Sequence, residues 1–599
     1  MSIFSKVAIE TPKKSVFDLS HTSRLTCEAG KIVPIFCQYT MPGDKWQISC
    51  GCFGRTLAML APMMQDVSID VHFFSVPLRL LWKNFETFIS GPEKMKTDSE
   101  GNKYWPSDPV HPYFTLKSVG YDCGSPTMES EDGYSYLWCT SSLADYLGYP
   151  VPKRFDETYQ SNIDGVCFTD DTTKFDPFPF RAYQLIYNEW YRDENLIDEL
   201  DIETEDDGFL DTSQLNMVLL PLRSRAWKKD YFTSALPWPQ RGEDVMLSFT
   251  GSVDVDASSV NLYNDAGSNE DRQFIGRGNT TGLIGRGYAL GTITSSSASD
   301  GGSISGDTVD VDFDQESVNP NNAANTFSID GITASLTNMS NSTIIELRRA
   351  FALQKWFENS ARLGGRYIEQ MLAHFGVQSS DARLQRPEFI GGFSTPLSVS
   401  EVVQTSESSD DNPLGTLGGK GVAVGSSSIG SYYCEEHCII MGLLTVRPKS
   451  LYELGIPRQF NMFERFDFPF PEFANIGEQA ILKQELTYSN YESSTISYNS
   501  NLVDTFGYTP RYAEFKYIPS TVHGEFKNTL DYWTMYRKYD IDDVELNEAF
   551  IDITEASESN KRPFAYQVEG NDDYIIQVNF DIKAVRPLPY FSTPGYLDN

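Results

Sequence analysis

Positive charge is scarce in this sequence. Lys and Arg number 48 against 83 Asp and Glu, a formal net charge of −35. A chain that holds nucleic acid by overall charge is basic, so any such contact here must be local or shared with a basic partner. Long apolar runs are missing too. The longest, CIIMGLLTV at 438–446, is far too short to cross a bilayer, which excludes membrane insertion by a helix. The N-terminal stretch MSIFSKVAIETPKKSVFDLS has no apolar signal core. The nine cysteines are an odd number, which argues for reduced thiols in a cytoplasm rather than a disulfide framework. A further absence is internal. From Gly251 to Ser342 there is no lysine, tryptophan, cysteine or histidine, and Ser, Gly, Asn, Asp and Thr dominate.

What is present describes a folded, strand-rich chain. Hydrophobic residues make up 40% and aromatics 13% of the sequence, too much for a disordered one. Val67, Ile69, Val71 and Phe73 alternate with Ser68, Asp70 and His72, the period of a half-buried strand. KIVPIFCQY runs into the turn signal MPGD. Ile576, Val578, Phe580 and Ile582 alternate with polar residues in the same way. The acidic stretch 193–211 reads as a solvated helix ending in a turn at Gly208. Thr343-Ile-Ile-Glu346 is a capping box, and Ile344, Leu347, Ala350, Phe351, Phe357 and Ala361 follow at helical spacing. Ile368, Met371, Leu372 and Phe375 form a second helical face. FNMFERFDFPFPEF reads as an extended arm or loop carrying contact anchors. The composition divides the chain into 1–250, an exposed insertion at 251–342, and 343–599.

Candidate chemistry is thin. His374 lies near Ser379, Ser380 and Asp381, but a catalytic triad is made by geometry and no GxSxG elbow accompanies it. A histidine at a helix end and a capping Ser or Asp explain these residues. Cys434-x-x-x-Cys438, with His437 between, is half a zinc site that needs Cys50 and Cys52 to complete it; small buried hydrophobes at a strand start are the plainer reading. A calcium-type loop starting at Glu203 fails at its first and last positions. The expectation is that the chain is not an enzyme and holds no cofactor or metal. Arg348, Arg349, Lys355, Arg362, Arg366, Arg383 and Arg386 form the densest basic stretch. Trp356 and Tyr367 lie among them and can stack on bases, while interleaved glutamates can equally pair with the cations. For Arg383 and Arg386 a subunit contact is favoured over DNA.

Several stretches together resemble a known family. They are IVPIFCQYTMPGDKWQI, LAPMMQDVSIDVHFFSVPLRLLWKNFETFISG, TSALPWPQRGEDV, LRRAFALQKWFENSARLGGRYIEQMLAHFGV, SSDARLQRPEFIGG, SEVVQTS and IMGLLTVRPKSLYELGI. In order and spacing they are similar to the major capsid proteins of the gokushovirus-like Microviridae, small icosahedral phages with single-stranded DNA. The resemblance implies a mainly β fold, an eight-stranded jelly roll with long inserted loops and a few helices. It implies self-assembly into a T=1-like shell around a circular single-stranded DNA genome, in a virion assembled in the host bacterial cytoplasm. It also implies a small basic DNA-packaging protein, a minor pilot-type virion protein and a host surface receptor as partners. The block from Gly251 to Ser342 falls where that family carries an exterior protrusion. The chain departs from the family there and in the acidic segment before Trp227, so tip contacts do not carry over. The alternative reading is a β-rich glycan-binding protein of a bacterial surface, against which the missing signal core and the odd cysteine count both weigh. A carbohydrate-active enzyme would need a carboxylate pair that stands out, and none does.

Overall fold

A computed structural model describes residues 13–91, 107–115, 137–151, 173–210, 214–242, 344–363, 380–403, 417–487, 503–539, 544–566 and 572–591, with short pieces besides. The chain divides into two compact units, one of Met1–Gly242 with Trp356–Asn599 and one of Glu243–Lys355.

In the first unit twelve strands concern us, numbered in chain order. They are β1 (Ser15–Asp18), β2 (His21–Cys27), β3 (Val33–Thr40), β4 (Lys45–Thr56), β5 (Val67–Pro77), β6 (Glu388–Pro396), β7 (Ser398–Val403), β8 (Leu417–Tyr433), β9 (Cys438–Pro448), β10 (Glu478–Leu482), β11 (Thr505–Pro510) and β12 (Tyr574–Arg586). One sheet runs β1-β12-β4-β8-β7, with β2 also paired to β12; the other runs β6-β5-β9-β3. All of these pairings are antiparallel. Between β2 and β5 the chain changes sheet at every connection. It passes from β5 to β6 within the smaller sheet, and crosses again at β6 to β7, β8 to β9 and β9 to β12. That is the connection order of a jelly roll.

Alternation dictates the core. Trp46, Ile48, Cys50 and Cys52 of β4 and Ile576, Val578, Phe580 and Ile582 of β12 point inward against Val67, Ile69, Val71 and Phe73 of β5. The half-buried reading of β5 needs one correction. Its second face is covered as well: Asp70, Phe74 and Val76 are buried. A layer built on helix α1 (Phe178–Ile186) and the π-helical turn that continues it, Tyr187–Tyr191, packs there with Trp82, Leu215 and Leu219. This explains the apolar run of β9. Ile440, Leu444 and Val446 face the sandwich, while Ile439, Met441 and Leu443 face the helical layer. Asp70 is tolerated in the interior because Arg225 and Arg447 lie at 2.9 and 2.7 Å and Ser394 donates to it at 2.6 Å. Burial alone would raise its carboxyl; these partners outweigh burial and hold it below the usual range.

The acidic stretch 193–211 is not a helix but an irregular strap, turned at Gly208 with φ of +79°. Its carboxylates are tied back one by one: Asp193 to Lys229, Glu194 to Arg241, Glu205 to Lys83 and Asp206 to the buried Arg181. Ion pairs to separate elements hold these residues in place of the solvated helix that the sequence suggested. Helix α2 (Ile344–Leu363) forms where expected, but its apolar face is only partly used. Ala361 is buried and Phe351 is left exposed. Thr343 and two residues of the second helical face, Ile368 and Met371, lie outside the described residues, while the other two, Leu372 and Phe375, are exposed.

In the second unit, short antiparallel ladders join Thr292–Ser295 to Val309–Asp312, Asn261–Asn264 to Phe327–Asp330, and Val255–Asp256 to Thr333–Ala334. The VDVD alternation at 309–312 is one of these strands.

Asp573, just before β12, gives the fold a pH signature. It is 1% exposed. Burial pushes its carboxyl up to about 7, with Glu28 and Asp572 adding to the rise and Lys561 opposing it. The folded chain keeps a proton that an unfolded chain, with the ordinary value of 3.8, has released. The stabilisation is therefore full below about pH 4 and is lost as pH rises through about 7. In denaturant melts, Asp573→Asn leaves stability at pH 4 nearly unchanged and raises it at pH 8 by roughly 2–4 kcal/mol relative to the parent.

Candidate assembly surface

Tyr452, Ile481, Leu486, Phe506 and Phe550, from between β9 and β12, build a further core around the β10–β11 pair together with Phe232 from before the insertion. Arg537 is enclosed there by aromatic faces, 5.0 Å from the Trp227 ring and 4.5 Å from that of Phe550. Beside this platform runs a ribbon with several large apolar side chains left exposed. Phe460, Phe463, Phe466, Phe468 and Ile476 are exposed, Phe463 to 84%. A second loop adds Phe515, Tyr517 and Ile518, the last 87% exposed.

The ribbon is held rather than loose. It is not an extended arm but a run of turns: Pro471 opens a 3-10 turn at Pro471–Phe473, and another lies at Arg458–Phe460. Asp467 accepts hydrogen bonds from the backbone of Phe463 at 3.0 Å and Glu464 at 2.8 Å, which closes its turn. Phe473 packs edge-on to both Phe466 and Phe470 at 6.0 Å. At its start Arg458 donates to the carbonyl of Ala480 and lies 3.4 Å from Glu485 and 3.8 Å from Glu514. Glu485 is buried, and burial raises its carboxyl; the Leu482 amide, Arg458 and the Tyr231 hydroxyl at 2.9 Å oppose that rise. Beneath the ribbon lies a cavity of about 450 Å³ lined by Phe463, Phe466, Arg511, Tyr512 and Glu514 among others. Exposed apolar area on this scale marks a surface meant to be covered. Rigid aromatic anchors are what subunit interfaces use.

The basic residues singled out from the sequence are scattered in role. Arg386 is buried, stacked 4.2 Å over Trp190, and pairs with Asp381 at 3.3 Å and Glu189 at 3.9 Å, all in its own chain. Trp190 in turn donates to the carbonyl of Pro387 at 3.0 Å. Arg366 donates to the carbonyls of Asn188 at 2.6 Å and Arg192 at 3.2 Å. Arg362 pairs with Glu478. Arg348, Arg349, Lys355 and Trp356 are exposed along α2. The Arg383 side chain, Tyr367, His374 and Ser379 lie outside the described residues. Asp381, once a candidate triad member, is engaged with Arg386. The four cysteines weighed as zinc ligands are all buried, and burial pushes Cys50, Cys52 and Cys438 up to about 12 and Cys434 up to about 11. Thiols so protonated are poor ligands, and no group of three or more metal-binding side chains occurs among the described residues.

The family model described as "Capsid protein (F protein)" matches residues 5–125 and 153–596. The chain belongs to this capsid protein family. It is 30% identical to capsid protein VP1 of Chlamydia phage 1, over 99% of this chain and 97% of that one. It is 28% identical to capsid protein VP1 of Bdellovibrio phage phiMH2K, over 99% and 97%, and 28% identical to that of Spiroplasma virus 4, over 97% and 95%. The family that the sequence motifs resembled is thus the family of the whole chain, and its role is that of a major structural capsid protein. Sequence reasoning found this capsid protein's aromatic ribbon but missed what holds it. Arg458, Glu485 and Glu514 are far apart in sequence and no local pattern links them.

Proposed function

We propose that this capsid protein assembles with copies of itself into a T=1-like icosahedral shell enclosing a circular single-stranded DNA genome, as a purely structural subunit without catalytic activity. The observation that carries the reading is the ribbon at 460–476, rigidly held and rich in exposed phenylalanine, with Phe463 84% exposed among the described residues. A neighbouring subunit supplies the cover. Closed symmetry then repeats each moderate contact around the shell. A net charge of −35 calls for help in neutralising phosphates, which a small basic packaging protein provides; a minor pilot-type protein completes the virion, which assembles in the host bacterial cytoplasm. Residues Gly251 to Ser342 form an exterior protrusion that meets the host receptor, in keeping with their polar, lysine-free composition. Arg348, Arg349, Lys355, Trp356 and Arg362 stand at subunit or genome contacts and Arg383 at a subunit contact, whereas Arg386 is spent on Asp381 and Glu189 of its own chain.

Expression of the chain followed by sedimentation and negative-stain microscopy tests the shell. Uniform spherical particles are expected. Monomers alone across a range of salt, pH and protein concentration overturn it.

A further inference from the structure

Copies of a chain with a net charge of −35 repel one another. A contact between them is favoured where a locally positive surface of one meets a negative surface of the next. The ribbon is one contact, and a closed shell needs more than one kind. A contact that joins the same patch on two copies ends at a dimer, whereas two different patches that meet head to tail carry the association onward.

The first half of α2 is the positive surface. Between Leu347 and Lys355 stand three cations, Arg348, Arg349 and Lys355, and no carboxylate. All three are exposed, and none is in an ion pair among the described residues. Further along the helix Arg362 is already engaged by Glu478. Apolar side chains share the exposed part, at Phe351 and Leu353.

The strap is the negative surface. Residues 198–207 hold seven carboxylates and no cation. From Glu199 to Phe209 exposed residues alternate with half-buried ones, as in an extended chain laid on a body. Its inner side is fixed: Leu200 and Ile202 pack against the helical layer, and Asp206 pairs with Arg181. On its outer side Glu205 is paired with Lys83, and Asp207 accepts from the Trp82 indole at 3.1 Å. Asp198, Glu199, Asp201 and Glu203 are exposed with no cation paired to them among the described residues. At the end of the strap Phe209 and Val110 are exposed as well. The Gly208 amide, donating to the Val110 carbonyl at 3.0 Å, brings them side by side.

We propose that the first half of α2 on one copy docks on the acidic strap of a second copy, with Arg348, Arg349 and Lys355 against Asp198, Glu199, Asp201 and Glu203. Charge complementarity carries this, and each surface has exposed apolar groups beside its charges. Phosphates would satisfy the cations of α2 but leave Phe351 and Leu353 uncovered and the strap unpaired. A second copy answers both needs. The contact rests on the reading that the chain assembles with itself.

The test reverses the charges on each side separately and then together. The helix variant is Arg348→Glu/Arg349→Glu/Lys355→Glu, the strap variant is Asp198→Lys/Glu199→Lys/Asp201→Lys/Glu203→Lys, and a third chain carries both sets. Assembly is read by sedimentation velocity and folding by thermal unfolding of the subunit. In parallel, a mixture of isotope-labelled and unlabelled parent is treated with a carbodiimide, and cross-links between copies are read by mass spectrometry. Each single variant is expected to lose about tenfold or more of its assembled material. The combined chain is expected to regain it, and Lys355 to cross-link to Asp198, Glu199, Asp201 or Glu203 of another copy. Parent-like particles from both single variants, without that cross-link, overturn the docking contact and leave the shell reading standing. A loss in the helix variant that the combined chain does not repair also overturns it; weaker binding of a fluorescein-labelled oligothymidylate then makes α2 a nucleic-acid contact. Small oligomers that obey the charge reversals, with no closed particle from any chain, keep the contact and overturn the shell. A parent that stays monomeric and free of cross-links overturns both.

Discussion

Serine at Phe463, Phe466 and Phe468 together yields a folded subunit that forms no particles. All three side chains are more than half exposed, so their loss takes little from the chain's own cores, and the thermal unfolding of the isolated subunit shifts little. At an interface the same change is severe. Burying one phenylalanine contributes about 1.5–3 kcal/mol, so three removed from each contact weaken it by roughly 5–9 kcal/mol, before any truncation penalty at the facing pocket. Every factor of ten in association is about 1.4 kcal/mol, so contacts repeated around a closed shell fail together. Sedimentation velocity reads the outcome. A normal particle peak from a normally folded variant shows that the ribbon is not the assembly contact.

Replacing residues 251–342 by a short Gly/Ser linker leaves the shell intact and removes adsorption to the host. None of the core residues of the sandwich, the helical layer or the β10–β11 platform falls between 243 and 355 among the described residues. The ladders of that unit pair with one another, not with the sandwich strands. The core residues of those three clusters all remain after the replacement. Particle yield is read by microscopy and adsorption by depletion of particles from a suspension of host cells. Loss of particles with host binding retained by the soluble subunit reverses the assignment, making the insertion an assembly element.

The sandwich was legible because its strands obey a period of two. β12 could be assigned residue by residue, since one of its faces meets the core and the other water. β5 and β9 were harder. A strand covered on both faces carries no alternation that distinguishes it from a short buried helix, and the layer that covers them comes from residues more than a hundred positions away. The acidic strap failed for a related reason. A dense run of glutamates and aspartates reads as a solvated helix, but here Asp193, Glu194, Glu205 and Asp206 are paired with cations from other elements. The ribbon's apolar residues stood out by composition alone. Its fixation did not, because Arg458 with Glu485 and Glu514, or Phe470 with the Tyr512 hydroxyl at 3.2 Å, are tertiary facts. The stretch SDARLQRPEFIGG held acid, arginine and serine that hinted at chemistry. Folding converts Arg386 and Asp381 into a buried pair against Trp190.

The place of β12 has a consequence for synthesis. It lies in the interior of the larger sheet, between β4 on one side and β1 and β2 on the other, yet β2 is near the start of the chain and pairs with it across a gap of more than five hundred residues. As the chain leaves the ribosome, β2 and β4 wait with open edges through the making of everything between. Only the arrival of Tyr574–Arg586 closes the sheet and fills the core with Ile576, Val578, Phe580 and Ile582. A product cut short before Tyr574 therefore never completes the sandwich. Such fragments cannot present the assembly ribbon from a finished subunit, even though they contain its residues. The topology thus acts as a length check on every copy that enters a shell.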